Sequence, residues 1–136
     1  MAFTYVVWNP RLAVGNSVID YDHQMLINLT NEACARVLAG DASAEEITLV
    51  FDRLVEYAHR HFAREEELFR KAEKYPAEAK QRHVTIHREL ERLLGEIAVK
   101  LTHDPSLIAL PAFSLFLQNW LIQHIQKYDF GYRHLL

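Results

Sequence analysis

Cysteine, glycine and proline are scarce in this chain of 136 residues. Cys34 is the only cysteine, so an internal disulfide is impossible. Four glycines and four prolines leave few breaks, which favours long helices. No run of about 18 apolar residues occurs, so we expect no membrane-spanning segment. Half of the residues are apolar and 24% are charged, a composition typical of a soluble globular domain.

The chain also lacks a block of basic residues. Its formal net charge is −3 with neutral histidines, and no lysine or arginine cluster suits the phosphate backbone of a nucleic acid. The apolar first eight residues are too short for a secretory signal and have no basic flank. We therefore expect a single cytoplasmic domain over 1–136, with no nucleic-acid or membrane partner.

Apolar residues recur at helical spacing in four segments. They predict helices over 18–38, 44–72, 76–101 and 107–128. An irregular arm over about 1–16 precedes them, and Ser-x-x-acid sequences beginning at Ser17 and Ser43 predict capping boxes for the first two helices. Short connections between long helices predict an all-α, up-down-up-down antiparallel four-helix bundle over about 17–130.

Seven histidines and carboxylates fall at one depth of this bundle. Taking about 1.5 Å per residue from the turns near residues 41 and 104, each helix brings a histidine roughly 26 to 30 Å from that end. A single histidine on an apolar face is usually an ordinary core residue, but buried polar groups need partners, and a whole layer of them indicates metal. The candidate ligands are His23, His61, Glu65, His83, His87, His124 and Asp129.

The spacing of the ligand pairs predicts one irregularity. His61 and Glu65 are four residues apart, as are the two histidines of the third helix, so each pair shares a helix face. His124 and Asp129 are five apart, a rotation of about 140° on a regular helix. If both bind metal, we expect a π-like turn or a frayed end over 126–129.

Imidazoles and carboxylates without a thiolate suit iron, manganese or zinc. If Glu65, Asp129 and one hydroxide or oxide bridge two metals, three histidines complete six ligands on one metal. Two histidines then leave an open position on the other. A redox-active pair of this kind can bind a diatomic ligand and give it one electron from each metal.

Four motifs carry these ligands along the chain: Asp20-x-x-His23, His61-Phe62-x-x-Glu65-Glu66, His83-x-x-x-His87 and Trp120-Leu121-x-x-His124-x-x-x-x-Asp129. This pattern resembles the hemerythrin family in its bacterial form. The resemblance covers essentially the whole chain from Trp8 onward. It implies a non-haem centre of two iron ions that binds dioxygen reversibly.

The implied centre is asymmetric. The resemblance assigns the coordinatively filled iron to three histidines, namely His83, His87 and His124. It assigns His23 and His61 to the iron with the open position, with Glu65 and Asp129 as bridges. Leu121 and Phe62 match positions that line the apolar dioxygen pocket. Relatives often have Gln or Glu directly before the first ligand, whereas this chain has Asp22, so the role of position 22 stays open.

We therefore predict a monomeric dioxygen carrier, store or delivery protein that is not an enzyme. Two alternatives remain: a sensor of dioxygen, nitric oxide or iron that signals through a partner, and a di-iron oxidase or peroxidase. The site offers no obvious free general acid, which disfavours the enzyme. The remaining polar residues near these motifs are predicted to lie at the surface, namely His59, Glu66, Glu67, His103 and His134.

Overall fold

Four long helices make up most of the chain. A computed structural model describes residues 6–40, 43–104, 111–133 and 135. Its helices are α1 (Ser17–Ala39), α2 (Ala44–Lys71), α3 (Ala77–His103) and α4 (Pro111–Gln123). Helix α1 packs on α2 and α4, and α2 packs on α3. The parts that the structure describes contain no β-strand, so the predicted all-α four-helix bundle is confirmed.

The N-terminal arm enters the bundle through Asn16. The Asn16 side chain accepts hydrogen bonds from the amides of the second and third residues of α1, which caps the helix. The prediction that Ser17 is the cap is wrong, because Ser17 already lies inside the helix. Asp20 instead accepts a hydrogen bond of 2.8 Å from the Val14 amide, and this contact ties the arm to α1.

The other helix ends follow their sequence signals closely. Ser43 Oγ accepts a hydrogen bond of 3.1 Å from the Glu46 amide, as the predicted cap of α2 requires. Helix α1 stops at Gly40, whose φ of 74° lies in the left-handed region that favours glycine. The first three helices end within two residues of their predicted bounds, whereas the predicted start of the fourth helix lies outside the described residues.

The end of the fourth helix is irregular, as predicted. A π-helical turn, His124–Tyr128, follows α4 and leads into a short 3-10 helix, Asp129–Tyr132. The Asp129 amide donates to the carbonyl of His124, five residues earlier, and to that of Ile125. The wider turn accommodates one extra residue, and the Asp129 Oδ1 atom lies 3.1 Å from His124 Nε2.

Two apolar clusters enclose a layer of histidines. Phe62, in the larger cluster, stacks on the His87 ring with 4.2 Å between centroids. Phe69, in the smaller cluster, lies 4.8 Å from the His83 ring. The polar layer therefore has apolar packing above and below it, which keeps water away from it.

None of the described helices combines the length and apolarity needed to cross a membrane.

Candidate metal centre

All seven predicted ligands meet in this buried layer. His83 and His124 are 3% exposed and the other five are fully buried. The side chains form two overlapping groups, and within each group the potential ligand atoms lie within 4.8 Å of one another. Both groups contain Glu65 and Asp129; the three-histidine group adds His83, His87 and His124, and the two-histidine group adds His23 and His61.

Asp129 faces both groups, one with each carboxylate oxygen. Its Oδ2 lies 2.8 Å from His23 Nε2, in the two-histidine group. Its Oδ1 lies 2.8 Å from His83 Nε2 and 3.1 Å from His124 Nε2, in the three-histidine group. A carboxylate whose two oxygens face different groups has the geometry of a bridging ligand.

Glu65 also faces both groups, through a single oxygen. Its Oε1 lies 2.8 Å from His61 Nε2 and 3.3 Å from His87 Nε2. These three atoms are buried and, among the described residues, none has the geometry of a well-formed hydrogen bond; their close contacts become ion pairs when a histidine is protonated. Electron-pair donors that converge in an apolar interior without hydrogen bonds fit a metal cation. The second oxygen, Oε2, accepts a hydrogen bond from the Tyr132 hydroxyl.

The charges of the layer also suit a cation. Burial raises the pKa of the Glu65 and Asp129 carboxyls, but nearby histidines hold it well below its usual range. Burial lowers the pKa of His124, but the charges and hydrogen bonds of Asp129 and Glu65 together outweigh this effect and raise the pKa to about 9. Without metal, the two negative charges are therefore balanced by protons on histidines, which metal ions would displace.

Residues 14–135 match the family model of the hemerythrin HHE cation binding domain. The chain belongs to the hemerythrin family. It is similar to the bacteriohemerythrin of Stenotrophomonas maltophilia, with 28% identity over 93% of this chain and 78% of that protein. It is also similar to those of Pseudomonas aeruginosa PAO1, at 29% identity over 94% and 79% of the two chains, and Pseudomonas paraeruginosa, at 30% over 94% and 79%.

Outer polar groups orient three of the histidines in this hemerythrin-family site. Each contact uses Nδ1 and leaves Nε2 toward the layer, an arrangement that fixes the ring and its tautomer in metal sites. His61 Nδ1 lies 3.0 Å from Asp22 Oδ2, His87 Nδ1 lies 2.9 Å from Glu66 Oε2, and His83 Nδ1 lies 3.1 Å from the Tyr75 hydroxyl.

The prediction that Glu66 is a surface residue is wrong. Its side chain is 21% exposed and contacts both His87 and Arg88. Helix α2 turns by about 100° per residue, so the residue after a central ligand lies at the edge facing the neighbouring helix. Glu66 therefore lies between α2 and α3, even though the surrounding charge run is typical of a solvated face.

The other predicted surface residues have mixed outcomes. His59 has a side chain 51% exposed, Glu67 has one 47% exposed, and His103 is exposed, so these predictions are confirmed. His134 lies outside the described residues.

The contact from Tyr132 to Glu65 was not predicted, although a residue three after Asp129 shares its face in a 3-10 helix.

The two residues predicted to line a dioxygen pocket are both fully buried. The Phe62 ring lies beside histidines of both groups, 4.2 Å from His87 and 5.8 Å from His61 between centroids. Leu121 lies in the same apolar cluster as Phe62 and one helical turn before His124. Both residues are therefore placed to keep the layer dry, and their contact with dioxygen stays a prediction.

Proposed function

We propose that this chain binds dioxygen reversibly at two iron ions held by the seven-residue layer. The observation that carries the proposal is the division of the ligand atoms into a three-histidine and a two-histidine group with two shared carboxylates. Two iron ions held there would supply two electrons and one open coordination position to a diatomic ligand. The relatives' names, bacteriohemerythrin, agree with this reading.

The protein groups would hold the pair and exclude water. Asp129 presents one oxygen to each histidine group, so it would fix the separation of the two ions. Phe62 and Leu121 are fully buried, and a dry apolar wall would disfavour the loss of a charged, reduced ligand to solvent.

We propose a binding protein and not an enzyme, because the polar groups around the layer are already engaged. The Tyr132 hydroxyl donates to Glu65, and burial holds its pKa well above the usual range. Asp22 is bound by three side chains of α2. Neither group is therefore a ready general acid. Turnover with peroxide or nitric oxide at rates well above those of free iron would contradict this reading.

The direct test is optical. The chain is loaded anaerobically with ferrous iron and then exposed to air while its visible absorption is recorded. We expect a new band that develops with dioxygen and vanishes when dioxygen is removed, with two irons per chain. A chain that holds only zinc, or that shows no dioxygen-dependent band when loaded with iron, would contradict the proposal.

A matched pair of cavity variants tests the dioxygen pocket. Leu121 and Leu117 are both buried in the same cluster and lie one turn apart on α4. Each change to alanine should cost a similar amount of stability, about 2 to 5 kcal/mol, as is typical of buried leucine. Only Leu121→Ala should also speed the decay of the dioxygen-dependent band. Equal decay in both variants would show that Leu121 has no special role.

A further inference from the structure

Asp22 is a buried carboxylate beside the metal layer that is not one of the seven ligands. It is 2% exposed and lies on α1 next to His23, yet its contacts cross to α2. Its Oδ2 accepts from His61 Nδ1 at 3.0 Å and from Arg64 Nε at 2.7 Å. Its Oδ1 accepts from Arg64 Nη2 at 2.6 Å and from the Tyr57 hydroxyl at 2.8 Å. Each carboxylate oxygen therefore accepts two hydrogen bonds.

The three partners of Asp22 share one face of α2, because they lie four and three residues apart in sequence. Arg64 grips the carboxylate with two nitrogens, which fixes its plane as well as its position. Its side chain is 39% exposed, so the guanidinium also connects the buried carboxylate to solvent. The orientation of Asp22 is therefore determined before any metal binds.

A carboxylate at Nδ1 decides which nitrogen of His61 can bind metal. An ionised carboxylate only accepts hydrogen bonds, so Nδ1 must carry a proton, and in the neutral ring that binds metal Nε2 is left with its lone pair. His61 Nε2 points to Glu65 Oε1 at 2.8 Å and to Asp129 Oδ2 at 3.9 Å. The contact with Asp22 therefore sets both the ring orientation and the tautomer that the two-histidine group requires.

We propose that Asp22 is a positioning residue for one of the two metals. It holds His61 Nε2 toward the two-histidine group, while Arg64 and Tyr57 hold Asp22 in place. The proposal rests on the proposed metal site, and it adds that the two metals have separate outer carboxylates. Glu66 has the corresponding contact with His87, in the three-histidine group. Each carboxylate should therefore control one metal and not the other.

The test uses cobalt(II) alone as the probe. Metal-free wild type, Asp22→Ala, Asp22→Asn and Glu66→Ala are titrated anaerobically, with calorimetry for affinity and visible absorption for the ligand field. Wild type should bind two ions. Asp22→Ala should lower the affinity for one ion by about 10- to 100-fold, the usual effect of removing such an outer partner. The affinity for the other ion should stay unchanged. Glu66→Ala should instead lower the affinity for the other ion.

Two further readouts separate positioning from a merely structural contact between α1 and α2. The cobalt that remains in Asp22→Ala at low metal should have the same spectrum as the cobalt retained by His61→Ala. Asp22→Asn should recover part of the lost affinity, because its amide oxygen can still accept from Nδ1. If Asp22→Ala lowers only the free energy of unfolding, with both affinities and spectra unchanged, the proposal is overturned.

The remaining outcomes are also decisive. If the Asp22 variants do not fold, Arg64→Met replaces them, because it removes the grip on Asp22 from the half-exposed side. Arg64→Met should lower the affinity for the same cobalt ion several-fold, and unchanged binding would overturn the proposal. A wild-type chain that binds two cobalt ions, but gives no dioxygen-dependent band with iron, would contradict only the proposed function. A wild type that binds no cobalt would overturn both.

Discussion

Two segments each supply the metal layer with a histidine and a carboxylate, and they do so differently. Helix α2 is regular and places His61 and Glu65 one turn apart on one face. The end of the fourth helix places His124 and Asp129 together through a π-helical turn. Glu65 uses one oxygen to reach both histidine groups, whereas Asp129 uses one oxygen for each group.

The difference shows what an irregular turn adds to a bundle. A side chain on a regular helix reaches the bundle axis from one side only, and its neighbours on that face lie above and below it. The π turn and the 3-10 helix after it bring Asp129 to the middle of the layer, where it contacts histidines of α1 and α3 and the His124 of its own segment. Single π turns inside helices are often found at functional sites.

The largest effect should follow from removing Asp129. Asp129→Ala takes a ligand atom from each histidine group, so we expect less than one bound iron per chain, measured by elemental analysis. Its affinity loss should exceed the roughly 10- to 100-fold cost of removing an outer partner. His59→Ala, on a half-exposed α2 side chain, is the control and should retain two irons. An Asp129→Ala variant that retains two irons would show that Asp129 does not bridge the two ions.

Much of the fold and layer was predictable because helical geometry is periodic. A fixed rise and a fixed rotation convert residue numbers into depth and face, and the five-residue step from His124 to Asp129 conflicts with that rotation and thereby indicates the π turn. The N-cap was misplaced by one residue because Asn16 and Ser17 are adjacent, both are good caps, and only the backbone decides between them.

The outer groups were not predictable from the sequence. Whether Asp22 or Tyr132 contacts a ligand depends on how neighbouring helices rotate against each other and on side-chain rotamers. The spacing of apolar residues in the sequence indicates neither. Glu66 was misread because its charged neighbours resemble a solvated face. One signal could have indicated both Asp22 and Glu66: each is a carboxylate directly next to a ligand in sequence, at the edge of its helix that faces the adjacent helix.

The next effect in size concerns the π turn itself. Deleting Gln126, an exposed residue of that turn, would reduce the step from His124 to Asp129 from five residues to four, as in α2. The segment after the deletion would then rotate by about 100° and shift by about 1.5 Å, so Asp129 and Tyr132 would both leave their partners. We expect loss of at least one metal per chain in titrations with zinc.

The matched control is Gln126→Ala, which changes the same side chain but keeps the register. It should bind two zinc ions with wild-type affinity. If the deletion variant also bound two ions as tightly, a regular four-residue step would suffice at this position. The contrast between α2 and the end of the fourth helix would then have no functional meaning.

The smallest effect should come from the contact that links the two segments. Tyr132, three residues after Asp129, donates its hydroxyl to Glu65 Oε2 on α2. Tyr132→Phe keeps the ring beside Phe69 but removes the donor from a buried carboxylate. Hydrogen bonds to charged groups contribute about 1.5 to 3 kcal/mol, so the metal-free chain should lose stability of that order in urea unfolding.

With zinc bound, the loss in Tyr132→Phe should be smaller, because the metal ions can bind the carboxylate oxygens and replace the missing donor. Tyr21→Phe, at a position 60% exposed on α1, is the control and should unfold like the wild type in both states. An equal loss with and without zinc would show that Tyr132 stabilises the fold alone. A larger loss with zinc would show instead that the phenol supports the metal-bound arrangement of Glu65, which would make the C-terminal segment a contributor to both carboxylates of the layer.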